Sequence, residues 1–310
     1  MRRASLLILP LLLWPLDGRA QADSTDLYVR LYLLDLIKID DTEEAITAEF
    51  IVDAAWSVDG PRDTILAYSD PRVPQLQFRN FISSQPLAPE AITVDAGGTA
   101  RFNQRIIGTI QQRFDFSAFP YDRQVLTIEL FTRGAPAFRL LADTATVGGI
   151  MPDFVELTAW DIEFVGAVPT VLRGPDRSIG ALGFRYALKR HSTYYFWKVL
   201  LPVTLIIFMS WAAFWISPEE VSAQLTVSVT AILTLIALQF SVSQLVPPLS
   251  YLTYLDKFSA GANFFVFAAF LQSIVTSYQA KVGRHRLSHR IDVAARFAFP
   301  LAFVLFLLLI

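Results

Sequence analysis

The sequence predicts a β-rich domain outside the cytoplasm followed by a bundle of four transmembrane helices. Composition is the first indication. Of 310 residues, 54% are hydrophobic, too many for an ordinary soluble protein, and 17% are charged, too many for a wholly embedded one. Segregation is the second. Residues 1–190 are polar and broken into short runs, whereas residues 194–310 are dominated by long apolar ones. The third is length, since each of four apolar segments in that second part suffices to cross a hydrocarbon core of ~30 Å as a helix.

At the N-terminus, Arg2 and Arg3 precede the apolar run Leu6–Leu13, and Ala20-Gln21-Ala22 satisfies the small-x-small cleavage rule. Residues 1–22 therefore read as a secretory signal peptide. Pro10 and Pro15 interrupt the run, which is short of the ~20 residues a span needs. Secretion places the domain 23–191 outside the cytoplasm. Disulfides are permitted there, yet the chain has no cysteine. The domain must hold together by core packing, for which ~170 residues suffice.

Within it, short runs alternate with turn residues. The runs are Leu27–Ile39, Ala45–Trp56, Ala91–Val94, Arg101–Phe114, Gln124–Phe131 and Gly180–Lys189. Breakers include Asp59-Gly60-Pro61, Gly97-Gly98 and Arg173-Gly174-Pro175-Asp176. This spacing predicts an all-β sandwich or barrel.

The membrane part, 192–310, carries spans at about 194–216, 219–245, 255–278 and 291–310. Between the last two lies the densest basic cluster, Lys281 to Arg290, which the positive-inside rule makes cytoplasmic. Four crossings return the β domain and the C-terminus to the same outer side, in agreement with the signal peptide.

The second span differs from its neighbours. Thr226, Thr230, Leu233, Ala237, Ser241 and Gln244 recur at steps of three and four and share one helical face, polar at both ends and apolar in the middle. Serine and threonine in membrane helices also bond back to their own backbone. Against that, Gln224 and Gln244 stand near opposite ends, and polar groups at depth face a bundle interior or a water path. One such helix cannot enclose a path, so the stripe implies symmetric self-assembly. Leu233 would form a hydrophobic ring able to close it by dewetting.

Further motifs follow in order. Phe119-Pro120-Tyr121-Asp122 stands between strand-like runs. Arg190-His191-Ser192-Thr193-Tyr194-Tyr195 precedes Pro202 in the first span. Pro247-Pro248-Leu249-Ser250-Tyr251 closes the second, and Arg296-Phe297-Ala298-Phe299-Pro300 lies in the fourth. In this combination the chain resembles the Cys-loop, or pentameric ligand-gated, ion channel family, and its bacterial members in particular. Gln112 and Leu126 occupy the positions of the family's loop cysteines. The resemblance implies an immunoglobulin-like β-sandwich, a homopentamer (four further copies of the chain) in the bacterial inner membrane, and inorganic ions as permeants. It marks Trp56 and Trp160 as structural aromatics rather than cage walls.

The resemblance also implies roles. Asp40, Asp41, Glu43, Glu44, Asp122 and Arg190 should meet Pro247, Tyr251 and the rest of the Ser250–Tyr254 loop to couple the domains. Reversal of Arg190 to Glu is expected to suppress agonist currents with surface expression intact. Glu219 and Glu220 at the cytoplasmic mouth favour cations. Whether Phe240 or Ser241 faces the pore stays open. Gln77, Arg79, Phe131, Arg133, Arg173 and Arg177 fall in the inter-subunit agonist region. Loss of acids there with gain of arginines argues against a simple ammonium cage and for an anionic ligand. Protons are the other candidate stimulus, with His191 the one histidine outside the basic linker.

No cysteine nucleophile, metal-spaced histidine cluster or Gly-rich phosphate loop suggests an enzyme, a metal or a cofactor. A net charge of -2 does not suggest a nucleic acid partner. The alternative is a non-conducting periplasmic small-molecule receptor that uses the bundle as a membrane anchor.

Overall fold

A computed structural model describes residues 24–86, 91–133, 138–143, 149–150, 159–173, 178–243 and 248–310. The expected signal peptide, Gln244, Pro247 and Arg177 lie outside these residues, as does the side chain of Arg173.

The N-terminal part is a β-sandwich of the immunoglobulin-like kind. Among the described residues one sheet comprises β1 (Thr25–Asp40), β2 (Ala45–Ser57), β3 (Thr64–Leu66), β5 (Phe81–Pro86), β6 (Ile92–Val94), β7 (Thr99–Gln111) and β9 (Phe138–Ala142). Its order is β3-β6-β7-β2-β1-β9, with β5 also on β7. The facing sheet runs β10 (Trp160–Arg173), β11 (Ser178–Arg190), β8 (Arg123–Arg133) and β4 (Gln75–Phe78).

Period-two patterning sets which side of each strand is buried. On β2, Ile46, Ala48, Phe50, Val52, Ala54 and Trp56 face the core, while Thr47, Glu49 and Asp53 alternate between them. On β8, Gln124, Leu126, Ile128 and Leu130 do the same between Arg123, Val125, Thr127 and Glu129. Full burial of each large aliphatic or aromatic side chain contributes roughly 1.5–3 kcal/mol. The Tyr186 hydroxyl crosses the core to donate to the Leu31 carbonyl at 3.2 Å, so its one polar atom is satisfied. Trp56 is buried and donates from Nε1 to the Arg72 carbonyl at 3.0 Å.

Strand β10 escapes pattern reading for a local reason. Trp160, Ile162 and Phe164 alternate with Asp161 and Glu163, but Gly166 and Pro169 follow. Both are tolerated here. Gly166, at φ 145°, marks a register shift between Phe164 and Gly166. Pro169 lies on the edge strand of its sheet, where a missing N–H breaks no ladder. β3, β4, β5 and β9 are too short for periodicity to reveal.

Four helices follow: α1 (Thr193–Trp215), α2 (Val221–Val242), α3 (Tyr254–Lys281) and α4 (His285–Leu309), each long and apolar enough to span a membrane. α1 opens with a π turn over Phe196–Leu200 just before Pro202, whose missing N–H leaves the Lys198 carbonyl without its usual donor. α2 begins at Val221 with Glu220 as its N-cap, so Glu219 and Glu220 precede the helix rather than opening it. α3 carries a reciprocal cap: Thr253 Oγ1 accepts from the Asp256 N–H, and the Asp256 carboxylate accepts from the Thr253 N–H. α4 starts at His285, not at Ile291. The basic stretch is thus a short turn through Gly283 (φ 80°) plus the first turns of a helix, not a long linker.

The pore-helix candidate and the domain junction

α2 has two unlike faces. Gln224, Ser228, Ala231 and Leu235 are buried against the rest of the bundle. Thr226, Thr230, Leu233, Ala237, Phe240 and Ser241 lie on the opposite, exposed arc. Leu233 is 61% and Phe240 73% exposed, a large apolar surface for a packed chain to leave open. At ~100° per residue, Phe240 and Ser241 flank the middle of that arc, so both are open. Part of the open side's polarity is tied back to the helix backbone: Thr226 Oγ1 of the stripe donates to the Ser222 carbonyl at 2.7 Å, and the neighbouring Thr234 Oγ1 to the Thr230 carbonyl at 2.8 Å.

Gln224 corrects the sequence expectation. It does not share the open face with the stripe; it is fully buried. Its Nε2 donates to the Ile216 carbonyl at 2.9 Å and the Ala213 carbonyl at 3.4 Å, and its Oε1 accepts from Ser277 Oγ at 3.0 Å. The carbonyls at the end of α1 need a donor, because the helix tightens into a 3₁₀ turn there. Gln224 therefore ties α1 and α3 to the start of α2. Ser228 and Ser273 make a second buried contact between α2 and α3, at 3.4 Å.

Where the β domain meets the helices, charge and rings converge on Arg190. Its Nε donates to Asp122 Oδ1 at 2.8 Å, and its Nη1 and Nη2 donate to Asp41 at 2.8 and 2.9 Å. The guanidinium stacks 4.1 Å from the Trp160 ring centroid and 5.0 Å from that of Phe119. Burial alone would lower the Arg190 pKa, but the hydrogen bonds it donates to Asp41 and Asp122 outweigh it and hold it above the usual arginine value.

The other expected coupling residues divide. Asp40 forms the β1–β2 turn, accepting from the Thr42 and Glu43 N–H groups and from Lys38 Nζ. It does not join Arg190, and Glu43 lies in the same turn. Tyr251 does reach across: its hydroxyl accepts from the Phe116 N–H at 3.0 Å. Next to it, the Ser117 and Phe119 carbonyls accept from the Tyr254 and Leu255 N–H groups at 2.9 and 3.2 Å.

The burial of Arg190 argues against the expectation that its reversal to Glu spares expression. Its side chain is 4% exposed and that of Asp122 1%. A glutamate there would gather buried carboxylates with no counter-charge.

No cysteines close the Phe119–Asp122 loop. Gln124 staples it instead, its Oε1 accepting from the Asp115 N–H at 3.0 Å and its Nε2 donating to the Asp115 carbonyl at 2.9 Å and to Asp122 Oδ2 at 2.7 Å. Glutamine at a strand end carries no periodic signal, so the role of Gln124 is not legible in the sequence.

Four of the six expected agonist residues meet at one end of the smaller sheet. Gln77 of β4 lies opposite Phe131 of β8, and Gln75 opposite Arg133. Arg79 Nη1 donates to Glu129 Oε2 at 2.9 Å. Glu129 was not among the expected residues; with it the region is not acid-free, and Arg79 is opposed by a carboxylate. Arg173 ends β10 opposite Ser178.

Comparison with known proteins agrees with this geometry. The family model described as the neurotransmitter-gated ion-channel transmembrane region matches residues 199–289. A protein named proton-gated ion channel, from Gloeobacter violaceus, is 27% identical over 293 residues, covering 89% of this chain and 79% of the relative. Subunits named gamma-aminobutyric acid receptor subunit beta from Caenorhabditis elegans and Lymnaea stagnalis are each 26% identical, covering 60% and 58% of this chain. Those matches span only 34% and 37% of the two receptor subunits. Motif order, a cysteine-free loop, a sandwich joined to four spans and these relatives together support a pentameric ligand-gated ion channel of the prokaryotic type.

Proposed function

We propose that five copies of this chain form a cation channel in the bacterial inner membrane, with the β domain and the C-terminus periplasmic. α2 lines the pore. The carrying observation is its two-faced burial: Gln224, Ser228, Ala231 and Leu235 are sealed within the subunit, while Thr226, Thr230, Leu233, Ala237, Phe240 and Ser241 are left open. Closure of five such faces around an axis supplies the partner that this surface lacks. Thr226 and Thr230 form hydrophilic rings and Leu233 with Ala237 the apolar constriction. Gln244 extends the stripe outward, and Glu219 and Glu220 form the cation-favouring mouth. A stimulus at the β domain, either a small ligand near Gln77, Arg79, Phe131, Arg133, Arg173 and Arg177 or a fall in pH, reaches α2 through Arg190, Asp122, Asp41, Tyr251 and Pro247. Because the Gloeobacter relative is named a proton-gated ion channel, acid is the first stimulus to apply.

Recording from the chain reconstituted in planar bilayers tests each element. Acid steps, then small charged organics, are expected to open cation currents, and Leu233→Ser should leave the pore open without stimulus. A reversal potential that follows chloride in asymmetric salt overturns cation selectivity. Silence of both the parent and Leu233→Ser under every stimulus leaves the anchored, non-conducting receptor as the function.

A further inference from the structure

Glu219 stands in the turn between α1 and α2, and His285 opens α4, yet His285 Nδ1 lies 3.1 Å from Glu219 Oε1. Both side chains are mostly exposed, at 60% and 67%. An exposed pair of this kind adds little to folding stability. What it changes is charge. A carboxylate paired with an imidazolium presents little net negative potential to a passing ion, whereas the same carboxylate beside a neutral imidazole presents its full charge.

We propose that His285 tunes permeation by clamping Glu219 when protonated and releasing it when neutral, so that cytoplasmic pH sets cation conductance independently of the stimulus outside. This rests on the placement of Glu219 at the cytoplasmic mouth. The charged groups on the segments that carry the pair are Glu220 next to Glu219, Lys281 and Arg284 at the end of α3 and in the turn after it, and Arg286 and His289 on α4 itself. Of these residue types only histidine changes charge between about pH 5 and 8. Lysine and arginine keep their charge over that range. His289, one helical turn beyond His285, is the competing titration.

Inside-out patches separate the possibilities, with outer conditions held at full activation while cytosolic pH is stepped between about 5.5 and 8. Neutralising one unit charge at ~4 Å in water changes an ion's local occupancy up to about fivefold, so wild-type unitary cation conductance should rise about two- to fivefold as pH rises. His285→Gln should be flat at the high level, His285→Lys flat at the low level, and His289→Gln should keep the wild-type response. Glu219→Gln should be low at all pH and insensitive to a second change at 285. A pH response that survives His285→Gln while Glu219→Gln lowers conductance overturns this inference alone. Unchanged conductance in Glu219→Gln overturns the mouth placement as well.

Discussion

Arg190 is where charge and aromatic rings converge between the β domain and the helices. Its guanidinium is wrapped by two carboxylates and the rings of Trp160, Phe119 and Tyr195, with almost no access to water. Breaking a buried pair by removing one partner costs roughly 3–5 kcal/mol, because the remaining charge is left without compensation. Arg190→Glu and Arg190→Ala should therefore lose folded protein before they report on gating. Asp41 is the better probe, since its side chain is 18% exposed and keeps a route to water. Asp41→Asn should reach the membrane at near-normal levels and need a several-fold stronger stimulus for half-activation. Stimulus–response curves normalised to surface labelling check this, and an unshifted curve would remove Asp41 from the coupling path. Charges in that loop were legible in the sequence; which of them meets Arg190 was not. Asp40 and Asp41 are neighbours, and only turn geometry sends one to cap the backbone and the other to the guanidinium.

At the scale of helices, packing in the bundle relies on close approach rather than on a hydrophobic drive, since lipid is as apolar as leucine. Gly261 of α3 shows this. A Cβ at this position would collide with the Phe306 ring of α4. The aromatic ring of one helix sits in the notch left by the other. Gly261→Ala should push α4 away and lower the thermal midpoint of the detergent-purified channel, by an amount typical of core overpacking, roughly 1–3 kcal/mol. Phe306→Ala in the same chain should recover part of that loss by vacating the clash. A double variant no more stable than Gly261→Ala alone would show that Phe306 is not what the glycine accommodates. The spans themselves are readable from hydropathy. Their caps and contacts are not, because a glycine, a buried glutamine and a lipid-facing leucine differ only in what they touch.

Across the whole molecule, several carboxyls of the β domain are held below their ordinary range by donors on the same surface. Arg139 does this to Asp26, Lys38 to Asp40, Arg72 to Asp70, the Ser117 N–H to Asp115, and His191 to Asp161. Asp70 falls to about 2. A carboxyl with a folded value below its unfolded one stabilises the fold while pH exceeds the unfolded value, here 3.8, and that contribution drains as pH falls through the folded value. Thermal unfolding of the full chain should thus be little affected by these groups from pH 7 down to about 5 and weaken below about 4. The same ordering means these carboxylates stay ionised under mild acid. Asp70→Asn should accordingly leave the pH of half-activation unchanged, and a shift there would make Asp70 part of the proton response.

What the sequence determined by itself was the division of the chain, the number of spans, the patterned strands and the polar stripe on the second helix. Each is a property of periodicity and hydropathy, which arise within one segment and survive without neighbours. Tertiary structure decided the rest. Gln224 looked like a second polar marker of the stripe and became a buried tie among three helices. β10 became visible only once β11 offered an edge on which Pro169 and a bulged Gly166 are tolerated. Glu129 beside Arg79, Gln124 across its loop and His285 against Glu219 are partnerships between or around separate elements. No local pattern encodes them, because a hydrogen bond or ion pair depends on where two chain segments end up rather than on how far apart they lie in sequence.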